Sequence, residues 1–188
     1  QSVDDIIQSN PKFIRKGDQD IKKVIEYREN DFKIIPILDN QDRIVNVINF
    51  GELKSYLPVD VVVMAGGKGT RLRPLTEQTP KPLLKVGDKP ILEHIIDEAT
   101  DAGIREFVIV TGYMEDCIKD YFGDGSQKNV SIDYVLQEEQ NGTGHAIGCA
   151  EEYVDDRFIV LNGDMLISSV QIKNLIDRAE DAVLTVKE

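Results

Sequence analysis

Apolar residues in this chain fall into short runs that polar or glycine-rich segments separate. From residue 59 onward, strands are predicted over 61–65, 106–111, 130–136, 158–161 and 182–188, of which 61–65, 106–111 and 158–161 are predicted to be buried and 130–136 alternates in part. Between them, apolar positions three and four residues apart predict helices over 90–103, 114–122, 143–153 and 170–180. Strands that alternate with helices indicate a mainly parallel sheet with both faces covered. The pattern therefore predicts an α/β sandwich of three layers over residues 59–188.

Residues 1–57 have a different pattern and are predicted to form a separate, small α+β region. Its predicted elements are strands over 13–15, 33–38 and 43–48, helices over 19–30 and 51–57, and a turn at 39–42. Pro58 marks the boundary with the α/β domain.

Glycines and cations are concentrated just after the first strand of the α/β domain. Gly66, Gly67 and Gly69 allow a sharp turn and leave backbone N–H groups uncovered, which suits an anion such as phosphate. The cations that follow are Lys68, Arg71, Arg73, Lys81, Lys85 and Lys89, and prolines on both sides restrict the backbone at Lys81. This window predicts a local basic pocket for a phosphate ligand.

The composition limits which partners fit such a pocket. The formal net charge of −12 argues against a nucleic-acid-binding protein, because an acidic surface repels phosphate backbones. No apolar run of about 18 residues and no signal peptide is present, so the sequence predicts neither membrane association nor secretion. Cys117 and Cys149 lack metal-binding spacing, which favours reduced thiols in a cytoplasmic protein.

The glycine-rich segment matches neither common nucleotide loop, since it lacks the Walker A pattern and has Leu72 where a dinucleotide fingerprint needs its third glycine. From Met64 to Pro90 the chain instead carries Gly-Gly-x-Gly-Thr-Arg-Leu-x-Pro-Leu-Thr followed by Pro-Lys-Pro-Leu. This segment resembles the sugar-phosphate nucleotidyltransferase family. The alternative is a basic surface loop after a core strand.

The resemblance implies a Rossmann-like fold of the nucleotide-diphospho-sugar transferase type. It also implies catalytic roles for Arg71 and Lys81. The nucleotide-binding residues it implies in this segment are Met64, Ala65, Gly66, Gly67, Gly69 and Thr70.

A second segment, residues 137–146, joins a predicted strand to a predicted helix. Its Gln-x-x-Gln-x-Gly-Thr-Gly-His-Ala pattern resembles the base-recognition loop of N-acetylglucosamine-1-phosphate uridyltransferases, which implies that Gln137, Gly142 and Thr143 bind the base. The alternative is a polar loop in which Thr143 caps the helix. His145 and His94 are interpreted as structural.

A third segment, Asn162-Gly163-Asp164, follows a buried strand. By the resemblance, Gly163 contacts the nucleotide and Asp164 binds Mg²⁺, an ion that prefers a few carboxylates together with phosphates and water. A lone Asp at a strand end is otherwise often a turn residue. All three segments follow predicted parallel strands, whose carboxyl ends lie at one edge of the sheet, so they are predicted to meet there.

The predicted function is transfer of a nucleoside monophosphate from an NTP to a sugar 1-phosphate, with release of pyrophosphate. UTP with N-acetylglucosamine 1-phosphate is favoured. The alternatives are glucose-1-phosphate thymidylyl- or uridylyltransferase and mannose-1-phosphate guanylyltransferase. A hypothesis from a different class of function is that the protein is a catalytically inactive regulatory module that senses a nucleotide.

The order of elements in residues 1–57 resembles one cystathionine-β-synthase-type (CBS) repeat. Such repeats usually pair and bind adenosine nucleotides, but Asn46 replaces the common glycine, and Phe50-Gly51 replaces the usual ribose contact. An interaction role, such as forming a homo-oligomer, is therefore favoured over nucleotide sensing. The chain begins with Gln1 and ends within a predicted strand, so a fragment is expected, with the second metal ligand and most of the sugar site beyond Glu188.

Overall fold

The computed structural model describes residues 11–16, 21–51, 57, 59–139, 141–154, 157–178 and 182–183. The chain divides into two compact units, Gln1–Leu53 with Asp177–Glu188, and Lys54–Ile176. The domain limits inferred from the sequence, 1–57 and 59–188, stay a prediction.

The first unit contains a three-stranded sheet and one described helix. Its elements are β1 (Ile14–Arg15), α1 (Ile21–Glu29), β2 (Ile34–Leu38) and β3 (Ile44–Asn49). β2 lies in the middle, parallel to β1 and antiparallel to β3. Buried side chains from the sheet and helix form its core: Ile14, Val24, Ile35, Ile37, Ile48 and Phe50. The strand–helix–strand–strand order agrees with the prediction, whereas most of the predicted helix at 51–57 lies outside the described residues.

The turn between β2 and β3 is organised by one carboxylate. Asp39 Oδ1 accepts hydrogen bonds from the backbone N–H groups of Gln41 (2.8 Å) and Arg43 (3.0 Å). The Arg43 side chain also donates to Asp39 Oδ2 at 2.8 Å. The hydrogen bond from the Arg43 backbone is the main cause that lowers the pKa of Asp39. These contacts explain why the polar residues predicted to turn do so at this point.

The second unit is built on a four-stranded parallel sheet. In chain order its elements are β4 (Asp60–Met64), β5 (Lys85–Val86), β6 (Lys89–Pro90), α2 (Ile91–Asp101), β7 (Glu106–Thr111), α3 (Glu115–Phe122), β8 (Ser131–Leu136), α4 (Thr143–Cys149), β9 (Phe158–Asn162) and α5 (Ser169–Ile176). The parallel sheet has the order β8-β7-β4-β9, so the first strand of the unit becomes a central one. The predicted α/β class is confirmed.

Both faces of this sheet are buried at its two central strands, β4 and β7. Val62, Val108 and Val110 face α4, where they form a cluster with Ala146 and Ala150. The alternating residues of β4 and β7, which point to the other face, are at most 1% exposed: Val61, Val63, Phe107 and Ile109. Burial on both sides explains why these strands are continuous apolar runs.

Several predicted boundaries were wrong. α4 ends at Cys149, and the predicted remainder of that helix is a separate 3₁₀ turn at Glu151–Tyr153. α5 ends at Ile176, because the chain turns at Asp177. Of the predicted strand 182–188, Ala182 and Val183 lie in no strand, and the rest falls outside the described residues. The short antiparallel pair β5–β6 was not predicted.

A network of ion pairs fixes α2 against its neighbours. Lys128 Nζ lies 2.8 Å from Glu93 Oε1 and 2.8 Å from Asp97 Oδ1, and Lys89 Nζ lies 2.6 Å from Asp97 Oδ2. Partial burial alone would raise the pKa of Asp97, but the hydrogen bonds from Lys128 and Lys89 outweigh it and lower the pKa. The charged form of Asp97 therefore stabilises the folded protein.

We expect Asp97→Asn to lower the free energy of unfolding at pH 7 by about 1 kcal/mol, a value that solvent screening of this partly exposed pair keeps small. The folded-state pKa lies below the ordinary value of 3.8. The stabilisation is therefore complete above that value and is lost as the pH falls through the folded-state pKa. Urea unfolding should thus show a smaller difference at pH 3 than at pH 7. Asp101→Asn, on the same helix but exposed, is the control. An equal loss of unfolding free energy in Asp101→Asn would contradict the stabilising role of the Asp97 ion pairs.

Candidate active site

The predicted site segments follow neighbouring strands of the parallel sheet. Met64, at the end of β4, pairs with Val110 of β7 on one side and with Asn162 of β9 on the other. Leu136, at the end of β8, pairs with Thr111. Because all these strands run in the same direction, the loops that follow them leave the sheet at one edge.

The loop after β9 lies directly against the end of β4. Gly163 N donates to Met64 O at 2.9 Å. A Cβ atom at residue 163 would lie 2.9 Å from the same oxygen, which is too close for any side chain. Glycine is therefore required at this position, and the backbone contact brings the next residue, Asp164, to the edge of β4.

The glycine-rich loop after β4 is closed by a threonine. Gly69 has a φ of 59°, in the left-handed region that favours glycine. Thr76, which is 1% exposed, donates its hydroxyl to Gly69 O at 2.8 Å. A Cβ atom at Gly69 would lie 2.9 Å from Thr76 Cγ2 and 3.3 Å from Lys81 Cβ. Thr76 therefore joins the glycine loop to the segment that carries Lys81.

A cavity of about 420 Å³ lies at this edge of the sheet. Every site residue predicted from the sequence lines it: Met64, Ala65, Gly66, Gly67, Gly69, Thr70, Arg71, Lys81, Gln137, Gly142, Thr143, Gly163 and Asp164. The sequence did not single out the other lining residues, which are Leu72, Pro82, Ala146 and Asn162. The predicted residues are thus brought together, although what each one does stays a prediction.

The charged side chains at the cavity come from three separate segments. Lys81 forms an ion pair with Asp164, 83 positions further along the chain. Arg71 is exposed and forms no hydrogen bond or ion pair with the rest of the described chain. Two cations and one carboxylate therefore give the cavity a local positive charge within a protein of net charge −12. Such a cavity favours an anionic ligand.

The predicted base-recognition loop forms a wall of the same cavity. Gln137 is buried, and its Nε2 donates to Gly142 O at 3.2 Å. Thr143 is the first residue of α4, whereas Gly142 occupies the N-cap position with a φ of 92° and no side-chain cap bond is formed. The alternative in which Thr143 caps this helix is therefore wrong.

The residues present allow a magnesium ion at Asp164, but they supply few ligands. Across the described ranges, no group of three His, Cys, Asp or Glu side chains lies close enough together to bind a metal ion. Mg²⁺ is commonly held by one or two carboxylates together with substrate phosphates and water. Asp164, the one carboxylate among the described residues that line the cavity, fits that arrangement.

With this geometry established, comparison with known proteins identifies the family. The nucleotidyl transferase family model matches residues 60–186. The chain belongs to the nucleotidyl transferase family.

Curated relatives and solved structures agree with this assignment. The bifunctional protein GlmU of Methanococcus maripaludis is 41% identical over 129 residues, which cover 69% of this chain and 30% of that protein. The UTP–glucose-1-phosphate uridylyltransferase AglF of Haloferax volcanii is 39% identical over 130 residues, covering 67% of this chain and 53% of the relative. A structure of UDP-glucose pyrophosphorylase complexed with UDP-glucose has a TM-score of 0.54 and 28% identity, and the match covers 64% of this chain and 53% of that chain.

The nucleotidyl transferase chain thus spans from about a third to about half of the length of these relatives. In the part of the chain that the structure describes, no helix is long and apolar enough to cross a membrane.

Thr76 is the clearest site-supporting residue that the sequence did not reveal. We expect Thr76→Val to lower the free energy of unfolding by about 1 kcal/mol, because the carbonyl of Gly69 loses the hydroxyl donor and keeps only the N–H of Leu72, while the side-chain shape is kept. Denaturant unfolding measures the change. Thr79→Val, at a nearby threonine, is the control and should be close to neutral. A Thr76→Val variant as stable as the parent protein would show that the hydroxyl bond does not secure the loop.

Proposed function

We propose that this protein is a sugar-1-phosphate nucleotidylyltransferase, which transfers NMP from an NTP to a sugar 1-phosphate and releases pyrophosphate. The observation that carries the proposal is the convergence of Arg71, Lys81 and Asp164 on one cavity with glycine-rich walls. Family membership supports the same reaction class. The glycine-rich backbone would bind the phosphates of the nucleotide, since backbone N–H groups in tight turns favour anions.

In the proposed reaction, an oxygen of the sugar phosphate attacks the α-phosphorus in line. The bond from that phosphorus to the bridging oxygen breaks, and the electron pair leaves with pyrophosphate. Two anions must meet, so positioning and charge neutralisation supply most of the rate enhancement. The guanidinium of Arg71 suits the leaving pyrophosphate, because its planar donors bind two oxygens at once. Lys81 neutralises charge on the phosphates.

Asp164 is the residue that would hold Mg²⁺. When bound there, the ion would supply charge neutralisation at the α-phosphate and the incoming phosphate. The Lys81 ammonium pairs with the same carboxylate. Phosphate binding would therefore draw Lys81 away from Asp164 and free that carboxylate. A single lysine would thus serve the empty and the loaded site in turn.

For the nucleotide, we favour UTP, with N-acetylglucosamine 1-phosphate as the acceptor. The similarity of residues 137–146 to the uridyltransferase base loop supports this choice, and the name of the Haloferax volcanii relative specifies UTP. Thymidylyl and guanylyl transfer are the alternatives within the reaction class.

We also propose a cytoplasmic location for the protein. The proposed nucleotide substrate and the two unpaired cysteines, Cys117 and Cys149, favour it.

We expect Arg71→Ala and Lys81→Ala to lower kcat/KM by about 10²-fold to 10³-fold, because each removes a charge that stabilises the transferring phosphates. Pyrophosphate release by the full-length protein, with each NTP and several sugar 1-phosphates in Mg²⁺, measures this. Arg73→Ala and Lys85→Ala are matched controls, since both cations lie in the same segment without lining the cavity.

The experiment also separates the two classes of function. Release of pyrophosphate that depends on Arg71 and Lys81 supports the transferase. Nucleotide binding without turnover under every condition would support the nucleotide-sensing module instead. Variants of Arg71 and Lys81 as active as the controls would contradict the proposed site.

For the first unit, we propose a role in forming a homo-oligomer, as its similarity to a CBS repeat suggests. The sheet has exposed aliphatic side chains at Ile34 (57%), Ile44 (66%) and Val47 (46%). Exposed apolar groups side by side on a sheet favour association.

We expect Ile44→Asp and Val47→Asp to reduce the mass in solution to that of the monomer, because a charge on this surface opposes its burial. Light scattering on the full-length protein measures the mass. Val170→Asp, at an exposed position of α5, is the control. A protein that is monomeric before substitution, or whose mass is the same in the Ile44 and Val47 variants, would contradict the proposal.

A further inference from the structure

His145, interpreted from the sequence as structural, lies beside the side chain predicted to read the base. It is the third residue of α4. Its Nδ1 is 3.1 Å from Gln137 Nε2, and the same amide nitrogen is 3.2 Å from Gly142 O. Gln137 thus has two neighbours that can both accept hydrogen bonds.

These two neighbours determine whether the NH₂ group or the oxygen of the Gln137 amide faces them. A backbone carbonyl can only accept, so the amide group that faces Gly142 O must be the NH₂ group. One N–H donates to that carbonyl, and the other is available to His145. Nδ1 of His145 must then carry a lone pair, so the proton of the neutral ring is on Nε2. Both N–H groups of the amide are therefore used within the protein.

The amide oxygen is left for a ligand. No described residue donates to Gln137 Oε1. No buried side-chain oxygen or nitrogen in the described part of the chain lacks a partner, so Oε1 is accessible rather than buried. Because Gln137 lines the cavity, the accessible atom at this wall is an acceptor without a donor of its own.

We propose that His145 is a positioning residue that holds the Gln137 amide with Oε1 toward the base, so that the site accepts a hydrogen bond from a ring N–H. The proposal rests on the proposed nucleotide site. Uracil and thymine carry such a donor at N3, and guanine carries one at N1. Cytosine and adenine have a lone pair at the corresponding ring nitrogen, which Oε1 repels. His145 thereby helps to select the base without touching it.

The test compares UTP with CTP, two nucleotides of similar size, in the full-length protein. We expect His145→Leu to reduce the preference for UTP over CTP by about 10-fold, because an N–H of the amide loses its acceptor and the side chain can turn. His145→Asn should restore most of the preference, since the Asn Oδ1 can accept in place of Nδ1. His94→Leu is the matched control, because that histidine lies on α2 and its ring contacts Val86 O.

Two separate measurements report the preference for UTP over CTP. The ratio of kcat/KM values reports the preference during turnover, and calorimetric titration with UTP and CTP reports it in binding alone. A preference that falls in His145→Leu and returns in His145→Asn, in either measurement, supports the positioning role. A preference unchanged in His145→Leu, or lost equally in both variants, overturns it.

Unmodified protein provides an independent check. UTP methylated at N3 lacks the ring N–H and should bind at least about 10-fold more weakly than UTP. Equal affinity would overturn the inferred direction of the Gln137 amide. Binding that shows the expected preferences without pyrophosphate release would support the role of His145 while contradicting the transferase reaction. A protein that binds neither UTP nor CTP would overturn both.

Discussion

The site depends on a close approach of backbone to backbone at one edge of the parallel sheet. Gly163 lies so near Met64 that a side chain at residue 163 would overlap the carbonyl oxygen of residue 64. This contact ties the loop after β9 to the end of β4, where the glycine-rich loop begins. Asp164 follows Gly163 directly, and it forms an ion pair with Lys81, which lies beyond the glycine-rich loop in the sequence. One steric constraint between two strand ends thus places Asp164 at the cavity, where it meets Lys81.

The electrostatic character of the cavity follows from this arrangement. A protein with a net charge of −12 repels anions on average. Arg71 and Lys81 offset that repulsion locally, and Asp164 forms an ion pair with Lys81. In the proposed reaction, phosphates that bind the ammonium of Lys81 would free this carboxylate.

Much of the fold could be predicted because its physical causes lie in short stretches of sequence. Strands buried on both faces, such as β4 and β7, are continuous apolar runs, and helices between them imply a parallel sheet. The edge at which the site lies follows from that topology. The ends of α4 and α5 were placed wrongly, because apolar spacing continues past the residue where each helix stops. The pair β5–β6 was missed because two-residue strands carry no periodic pattern.

Most of the predicted site residues have chemistry that is visible in the sequence: glycines, cations, a carboxylate, an amide and two threonines. Met64 and Ala65 were predicted only from the resemblance to the family. Residues that act through another residue were not predictable in this way. Thr76 matters because its hydroxyl meets the carbonyl of Gly69, and His145 matters because its ring nitrogen meets the amide of Gln137. Both contacts join positions several residues apart, and no local pattern distinguishes such a threonine or histidine from an ordinary one.

We propose that the glycine-rich loop at the end of β4 binds the phosphates of a nucleotide. Titration of the ¹⁵N-labelled protein with UTP, followed by NMR, tests this most directly, since amide resonances report hydrogen bonds that the backbone N–H groups form. If the loop binds the phosphates, the resonances of Gly66, Gly67 and Gly69 shift together and saturate with a single affinity. Resonances of these three glycines that stay unchanged while UTP binds elsewhere would contradict it.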